Sequence, residues 1–275
     1  MNATICFIGA GNMSRSLIGG LVASGYPAEQ LCAADPNPAS CQQFSEHLGI
    51  RCVADNRQAL AQADIVVLAV KPQQLQSVCE SLAQDLQQRR PLVISVAAGV
   101  TTEAINRWLG GEMAIVRTMP NTPALIQAGA TGLFANSGVS KQQRDDAEHI
   151  LRAAGLTLWL DDEAQLDAVT ALSGSGPAYF FLFMEAMEQA AKTLGLDEKT
   201  ARLLTLQTAF GASKMALEST DDCATLRRKV TSPNGTTERA IVSFEQDQLG
   251  VIVERAMHAA HQRAQQLAKE LGGQL

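Results

Sequence analysis

Gly9-Ala10-Gly11-Asn12-Met13-Ser14 follows a short apolar run, Thr4 to Ile8, and opens a stretch of helical period. In that setting a G-x-G-x-x-G-like pattern reads as a dinucleotide turn. Gly9 makes the tight turn, Gly11 lets a pyrophosphate approach the backbone at a helix N-terminus, and the third position must be small. Ser14 fills that third position, small enough for helix-to-strand packing and carrying a hydroxyl able to reach a phosphate. The alternative is a glycine-rich turn that binds nothing. Asp35 closes a second apolar run 24 positions after Gly11, near where an acid binds a ribose 2′-hydroxyl. No Arg or Lys occurs from Asp35 to Gln43 to favour a 2′-phosphate, although Asn37 and Ser40 offer hydrogen bonds. These residues alone lean toward NADH, yet Asp35 also suits the start of the turn Asp35-Pro36-Asn37.

Other strand ends add small and polar residues. Ala69-Val70-Lys71-Pro72 and Ser95-Val96-Ala97-Ala98-Gly99 leave room for a nicotinamide ribose, with Lys71 either touching the cofactor or simply solvated. In Arg117-Thr118-Met119-Pro120-Asn121-Thr122-Pro123, Asn121 is placed to orient a carboxamide or to cap a turn. Near the C-terminus, Ser232-Pro233-Asn234-Gly235-Thr236-Thr237 precedes a helix, as a turn plus N-cap or as an anion-binding loop. Reducing a ketone normally calls for a general acid, commonly His. None of His47, His149, His258 and His261 lies in a glycine-rich or strand-end loop.

The elements that must position these groups come in two kinds. Strands are predicted at Thr4 to Ile8, Gln30 to Ala34, Ile50 to Ala54, Ile65 to Val70, Leu92 to Val96 and Ala114 to Arg117, with weaker ones at Thr131 to Phe134 and Leu156 to Leu160. Amphipathic runs such as Met13 to Ala23, and Leu75, Val78, Leu82 and Leu86, separate them, the pattern of a parallel sheet wrapped by helices. After about Asp161 strand signals stop, and helices are predicted at Ala178 to Leu194, Glu198 to Glu218, Thr236 to Phe244 and Val251 to Leu271. The fold class is therefore α/β, an N-terminal Rossmann-type doubly wound sheet over 1–162 followed by an all-helical domain over 163–275. Phe180, Phe181, Phe183, Met184 and Met187 crowd one helix, which implies a covering partner, most simply a second copy.

Of the 275 residues 46% are hydrophobic and 18% charged, enough apolar material for a substantial core. Net charge is −6, and the longest basic run is Arg227-Arg228-Lys229, which argues against nucleic acid or an anionic membrane as partner. No apolar stretch approaches the ~20 residues that span a bilayer. Met1-Asn2-Ala3-Thr4 has no basic leader, and a cytoplasmic setting is expected. Cys6, Cys32, Cys41, Cys52, Cys79 and Cys223 include no C-x-x-C pair, so buried free thiols are expected and no metal site.

Val230-Thr231-Ser232-Pro233-Asn234-Gly235-Thr236-Thr237 resembles the signature of pyrroline-5-carboxylate reductases. Gly9 to Met13, Asn56, Ala69 to Pro72, Met119 to Pro123 and Ser173-Gly174-Ser175-Gly176-Pro177-Ala178-Tyr179 follow that family's order. The resemblance implies hydride transfer from NADPH or NADH to the ring C=N of 1-pyrroline-5-carboxylate, giving L-proline. It also implies a helical domain interlocked with a partner subunit as a homodimer or higher oligomer. Asn56 and Lys71 would touch the cofactor, whereas Ser232, Gly235, Thr236 and Thr237 would surround the substrate, with Glu163 and Ser175 assigned to the same side. Thr237 matches the threonine that meets the imine nitrogen. Asn234 stands where many members have Gly, so a left-handed residue is expected there. The family often prefers NADPH, which opposes the reading of Asp35. A protonated cyclic imine already carries the electrophilic charge, so positioning replaces a strong general acid. The rival readings are another two-domain NAD(P)-dependent reductase of a small keto or hydroxy acid, for which Lys192, Lys199 and Lys214 offer no recognisable motif, and a cofactor-binding regulatory protein without turnover.

Overall fold

The computed structural model describes residues 3–272, and these form two compact units. The first comprises 3–175 together with 260–272, and the second comprises 176–259. The compact division thus falls after Ser175, later than the expected 162/163 boundary, and the chain's last helical turns return to the first unit.

The first unit is built on eight strands, β1 (Ile5–Ile8), β2 (Leu31–Ala34), β3 (Arg51–Val53), β4 (Ile65–Leu68), β5 (Leu92–Ser95), β6 (Ile115–Met119), β7 (Gly129–Ala135) and β8 (Gly155–Trp159). Their order in the sheet is β3-β2-β1-β4-β5-β6-β7-β8. Parallel pairing runs from β3 through to β6, with Ile5 opposite Leu31 on one side and Ile65 on the other. Strand β7 is antiparallel to β6, and β8 is parallel to β7. Every predicted strand is present within a few residues of its predicted ends.

Helices cover both faces, which is why the central strands read as continuous apolar runs instead of alternating ones. Ile5 and Phe7 face α1 (Asn12–Ala23) and Phe44 of α2 (Pro38–Leu48), whereas Cys6 and Ile8 belong to the opposite core. That second core takes Ala59 and Leu60 from α3 (Asn56–Leu60), Leu75, Cys79, Leu82 and Leu86 from α4 (Pro72–Arg89), and Ile105 and Trp108 from α5 (Thr102–Trp108). On the first face α6 (Lys141–Arg152) adds Ala147, Ile150 and Leu151. The short α7 (Gln165–Val169) continues into one π-helical turn, Thr170–Gly174. Such turns are rare and often lie at functional sites.

The second unit contains α8 (Gly176–Thr193), α9 (Glu198–Glu218), α10 (Cys223–Lys229), α11 (Thr236–Gln246) and the start of α12 (Leu249–Leu271). Asp197 and Asp222 cap α9 and α10 by accepting the Thr200 and Thr225 N–H at 3.0 and 2.7 Å. Its apolar side chains are largely uncovered: Phe180, Phe181 and Phe210 are 63, 64 and 62% exposed. A patch on that scale marks an association surface.

Candidate active site

Gly9, Asp35, Ala69, Val96 and Pro120 each lie just beyond the carboxyl end of a parallel strand, the edge at which open α/β sheets bind ligands. Strands β1 and β4 are neighbours, and there the strand order reverses, so Gly9 and Ala69 flank the switch point. The turn is held by Gly9 N–H donating to Ala34 O and Ala69 N–H donating to Ile8 O, both at 2.8 Å. Gly9 has φ +106, and a Cβ there would meet Ala69 O at 2.7 Å, so both conformation and space demand glycine. Gly11 is different: it precedes α1 with φ −88, and a Cβ built on it meets nothing within 4 Å. Gly11 and Asn12 are exposed, and no side chain caps α1. The helix therefore presents its first N–H groups to an open space of the kind a pyrophosphate fills.

Ala10 lies inside the turn, and its N–H donates to Asp35 Oδ2 at 2.9 Å, while Asn37 N–H donates to Asp35 Oδ1 at 2.9 Å. Asp35 thus serves the turn and ties the second strand end to the glycine loop at once. Asn37 caps α2 by accepting the Ala39 N–H at 3.0 Å. Met13, in the first turn of α1, is half-buried against the core. Asn56 opens α3, capped by Asp55, and Ala69 and Val70 are half-buried beyond β4, followed by exposed Lys71 and by Pro72 at the first position of α4.

Several of the expected site residues are also engaged by the protein's own packing. Ser14 is fully buried and donates its hydroxyl to Gly9 O at 2.6 Å, which closes the turn. Ala97 is buried in the core, and Gly99, with φ +76, lies against Leu267 and Leu271 of α12. Asn121 is already engaged at both ends, accepting Ala130 N–H at 2.9 Å and donating to Ser173 O at 3.1 Å. Glu163 takes the Thr102 N–H and hydroxyl at 2.8 and 2.7 Å and pairs with Arg117 at 3.0 Å, so its carboxylate is held by the scaffold.

That last group is a buried network that sequence reasoning missed. Arg117 is 4% exposed and has Asp167 Oδ1 3.7 Å from its other terminal nitrogen. It locks β6 to the start of α5 and to α7, from which the π-turn leads to Ser175, whose N–H donates to Thr170 O at 2.8 Å. The available signal was a charged residue inside the apolar run Ile115-Val116-Arg117. The cysteines also depart from expectation: Cys41 and Cys52 are joined in a disulfide and Cys223 is exposed, whereas Cys6, Cys32 and Cys79 are buried free thiols. Burial pushes the Cys79 thiol up to about 12. No group of His, Cys, Asp or Glu able to hold a metal occurs among the described residues.

The second unit carries the loop before α11. Asn234 has φ +58, the left-handed conformation expected of it, and Gly235 N–H donates to Ser232 O at 3.0 Å. Glu238 reaches back to accept the Asn234 N–H at 2.8 Å, which turns its charge onto the loop backbone. Gly235 precedes α11 with no side-chain cap, and Ser232, Thr236 and Thr237 are exposed around that helix start.

The loop, the glycine turn and the helical segment together match known proteins. Residues 163–267 match the model of the pyrroline-5-carboxylate reductase dimerisation family. A pyrroline-5-carboxylate reductase of Pseudomonas aeruginosa is 53% identical over 98% of both chains. The chain belongs to the pyrroline-5-carboxylate reductase family. A solved member of that family from Coxiella burnetii is 49% identical, with a TM-score of 0.94 over 98% of this chain and 100% of that one. The Plasmodium falciparum structure with NADP bound is 28% identical, with a TM-score of 0.85 over 97 and 98% of the two chains. Residues 4–99 also match a family described as NADP oxidoreductase, coenzyme F420-dependent. In this family context the open space at Gly11 fits a nicotinamide dinucleotide, and the apolar face of α8 and α9 fits a homo-oligomer. Among the described residues no helix is long and apolar enough to cross a membrane.

Proposed function

We propose that the chain reduces the C=N bond of 1-pyrroline-5-carboxylate to L-proline, with NADPH or NADH as hydride donor. The observation that carries this reading is the loop ending in left-handed Asn234 and Gly235, which leaves the Ser232, Thr236 and Thr237 hydroxyls grouped at an uncapped helix start in a member of this family. Bound NAD(P)H supplies the hydride.

Gly11, Asn12 and Met13 hold the pyrophosphate through backbone N–H groups and the α1 dipole, while Gly9 and Ala10, whose N–H groups go to Ala34 O and Asp35 Oδ2, shape the turn beneath it. Asp35 and Asn37 border the adenosine ribose, and Asn56, Val70 and Lys71 flank the same edge. In the second unit the N–H groups at the start of α11 take the substrate carboxylate. Thr237 hydrogen-bonds the ring nitrogen, and Ser232 and Gly235 shape the loop. No strong acid is required of Thr237, because the protonated imine brings its own charge and the protein's part is alignment, worth roughly 7 to 11 kcal/mol in favourable cases. Residues 163–275 serve substrate binding and association and 1–162 the nucleotide, a division supported by the start of the matched dimerisation segment at Glu163. The assembly unit is a homodimer in which a second copy covers the α8 and α9 side chains.

NAD(P)H oxidation with racemic 1-pyrroline-5-carboxylate, run with each cofactor, tests this. Turnover with production of proline is expected; cofactor binding without turnover would leave a regulatory protein, and turnover only with a keto acid would leave a different reductase.

A further inference from the structure

We propose that Cys41 and Cys52 form a reversible dithiol–disulfide pair that sets how tightly the adenosine side of the nucleotide turn is held. Their Cα atoms are 5.0 Å apart, and the two residues are separated by 11 positions in the chain. Cys41 lies in the first turn of α2 and Cys52 in the middle of β3, so the bond staples a helix start to the edge strand of the sheet. The edge strand has only three residues and one neighbour, so its ladder alone holds it weakly.

The Asp35–Asn37 turn is attached to both ends of this staple. Asp35 N–H donates to Val53 O at 3.0 Å, next to Cys52, and Cys41 N–H donates to Asn37 O at 3.2 Å. The Asp35 carboxylate in turn holds the Ala10 and Asn37 N–H groups. Cross-link, ribose-side turn and glycine turn are therefore one hydrogen-bonded framework. Both cysteines are half-buried, within reach of a small oxidant, whereas Cys6, Cys32 and Cys79 are buried.

The oxidising co-reactant is a hydroperoxide. One thiol takes its terminal oxygen as a sulfenic acid, releasing the alcohol (water, for hydrogen peroxide), and the second thiol displaces that oxygen as water. One S–S bond forms, while two S–H bonds and one O–O bond break. An external dithiol reverses the step, becoming a disulfide as Cys41 and Cys52 regain their protons. With the bond in place, the first turn of α2 cannot leave β3, and the turn that borders the ribose is ordered before nucleotide arrives. Without it, binding must order that segment, which weakens affinity.

This inference rests on the reading of Gly9 to Ser14 as the nucleotide turn. The test uses the full chain carrying Cys223→Ser, which removes the exposed thiol. It is treated with hydrogen peroxide or with dithiothreitol, mapped for a Cys41–Cys52 peptide by mass spectrometry, and titrated with NADPH and NADH by fluorescence. The linked peptide is expected after oxidation, with a Kd about three- to tenfold lower than in the reduced protein. Cys41→Ser and Cys52→Ser should each bind like the reduced form and ignore peroxide. Equal Kd values in the two states, or no linkage on oxidation, would overturn the switch while leaving the nucleotide reading intact. Failure of NADPH and NADH to bind in either state would instead remove the nucleotide reading, and the switch with it.

Discussion

Three glycine-to-alanine changes separate the backbone's own needs from those of the cofactor, and Gly9→Ala is the most informative. Gly9 has φ +106, and its new Cβ would lie 2.7 Å from Ala69 O and 2.9 Å from Ala69 C. Forcing an L-residue into such a conformation costs of order 1 to 3 kcal/mol. The obstructing atoms are backbone, fixed by the Ala69 N–H bond to Ile8 O, so the turn must move and not the neighbour. Displacing the binding turn by a fraction of an ångström should weaken NAD(P)H by about ten- to a hundredfold, the scale on which small misplacements act. Melting temperature should also fall by roughly 2 to 12 °C, at about 2 to 4 °C per kcal/mol for a unit of this size. Gly25→Ala is the control for strain: φ is +88, but nothing lies within 4 Å of the new Cβ. It should lower the melting temperature and leave cofactor affinity alone. Gly11→Ala is the converse, with an ordinary φ of −88 and open space, so the apo protein should melt normally and bind cofactor poorly. Fluorescence titration and thermal melts with and without NADPH give both readouts. Wild-type affinity in Gly9→Ala and Gly11→Ala alike would refute the placement of the pyrophosphate at this turn.

Thr237→Ala should lose a hydrogen bond to a charged group, about 1.5 to 3 kcal/mol, and so lower turnover roughly ten- to a hundredfold, with Thr237→Ser retaining most activity. An alanine variant with wild-type kcat and KM would remove Thr237 from the mechanism. Glu163→Ala leaves buried Arg117 with only Asp167, 3.7 Å away, and should destabilise by about 3 to 5 kcal/mol in thermal melts. Its KM for the imine should change little under conditions where it stays folded, and a selective KM rise without a loss in melting temperature would return Glu163 to the substrate. Asp35→Ala should shift the NADPH to NADH ratio of kcat/KM toward NADPH, and an unchanged ratio would show that the carboxylate serves the turn alone. Sedimentation should find a dimer at assay concentrations, given about 25 cal/mol for each Å² of apolar face removed from water, before entropy costs; a folded, fully active monomer would sink that assembly.

The sequence by itself determined what depends on near neighbours along the chain. Apolar runs of four or five residues placed β1, β4 and β5, and helical period placed α1, α9 and α12, because strand and helix burial repeat over short windows. Gly9 and Asn234 were legible because a left-handed backbone selects a residue type at that one position. Tertiary structure alone decided the partners. That β7 pairs with β6 and runs antiparallel to it is encoded by no local residue pattern. Asn121, Glu163 and Ser14 have residue types equally suited to a ligand or to a protein partner. Only the approach of Ala130, Ser173, Thr102, Arg117 and Gly9 commits their polar atoms to the scaffold. The spacing of Cys41 and Cys52 resembles no motif, and their bond exists because α2 returns onto β3 with the two Cα atoms at bonding range. Hydrogen-bonding capacity is a property of a residue, but where that capacity is spent is settled only when distant segments meet.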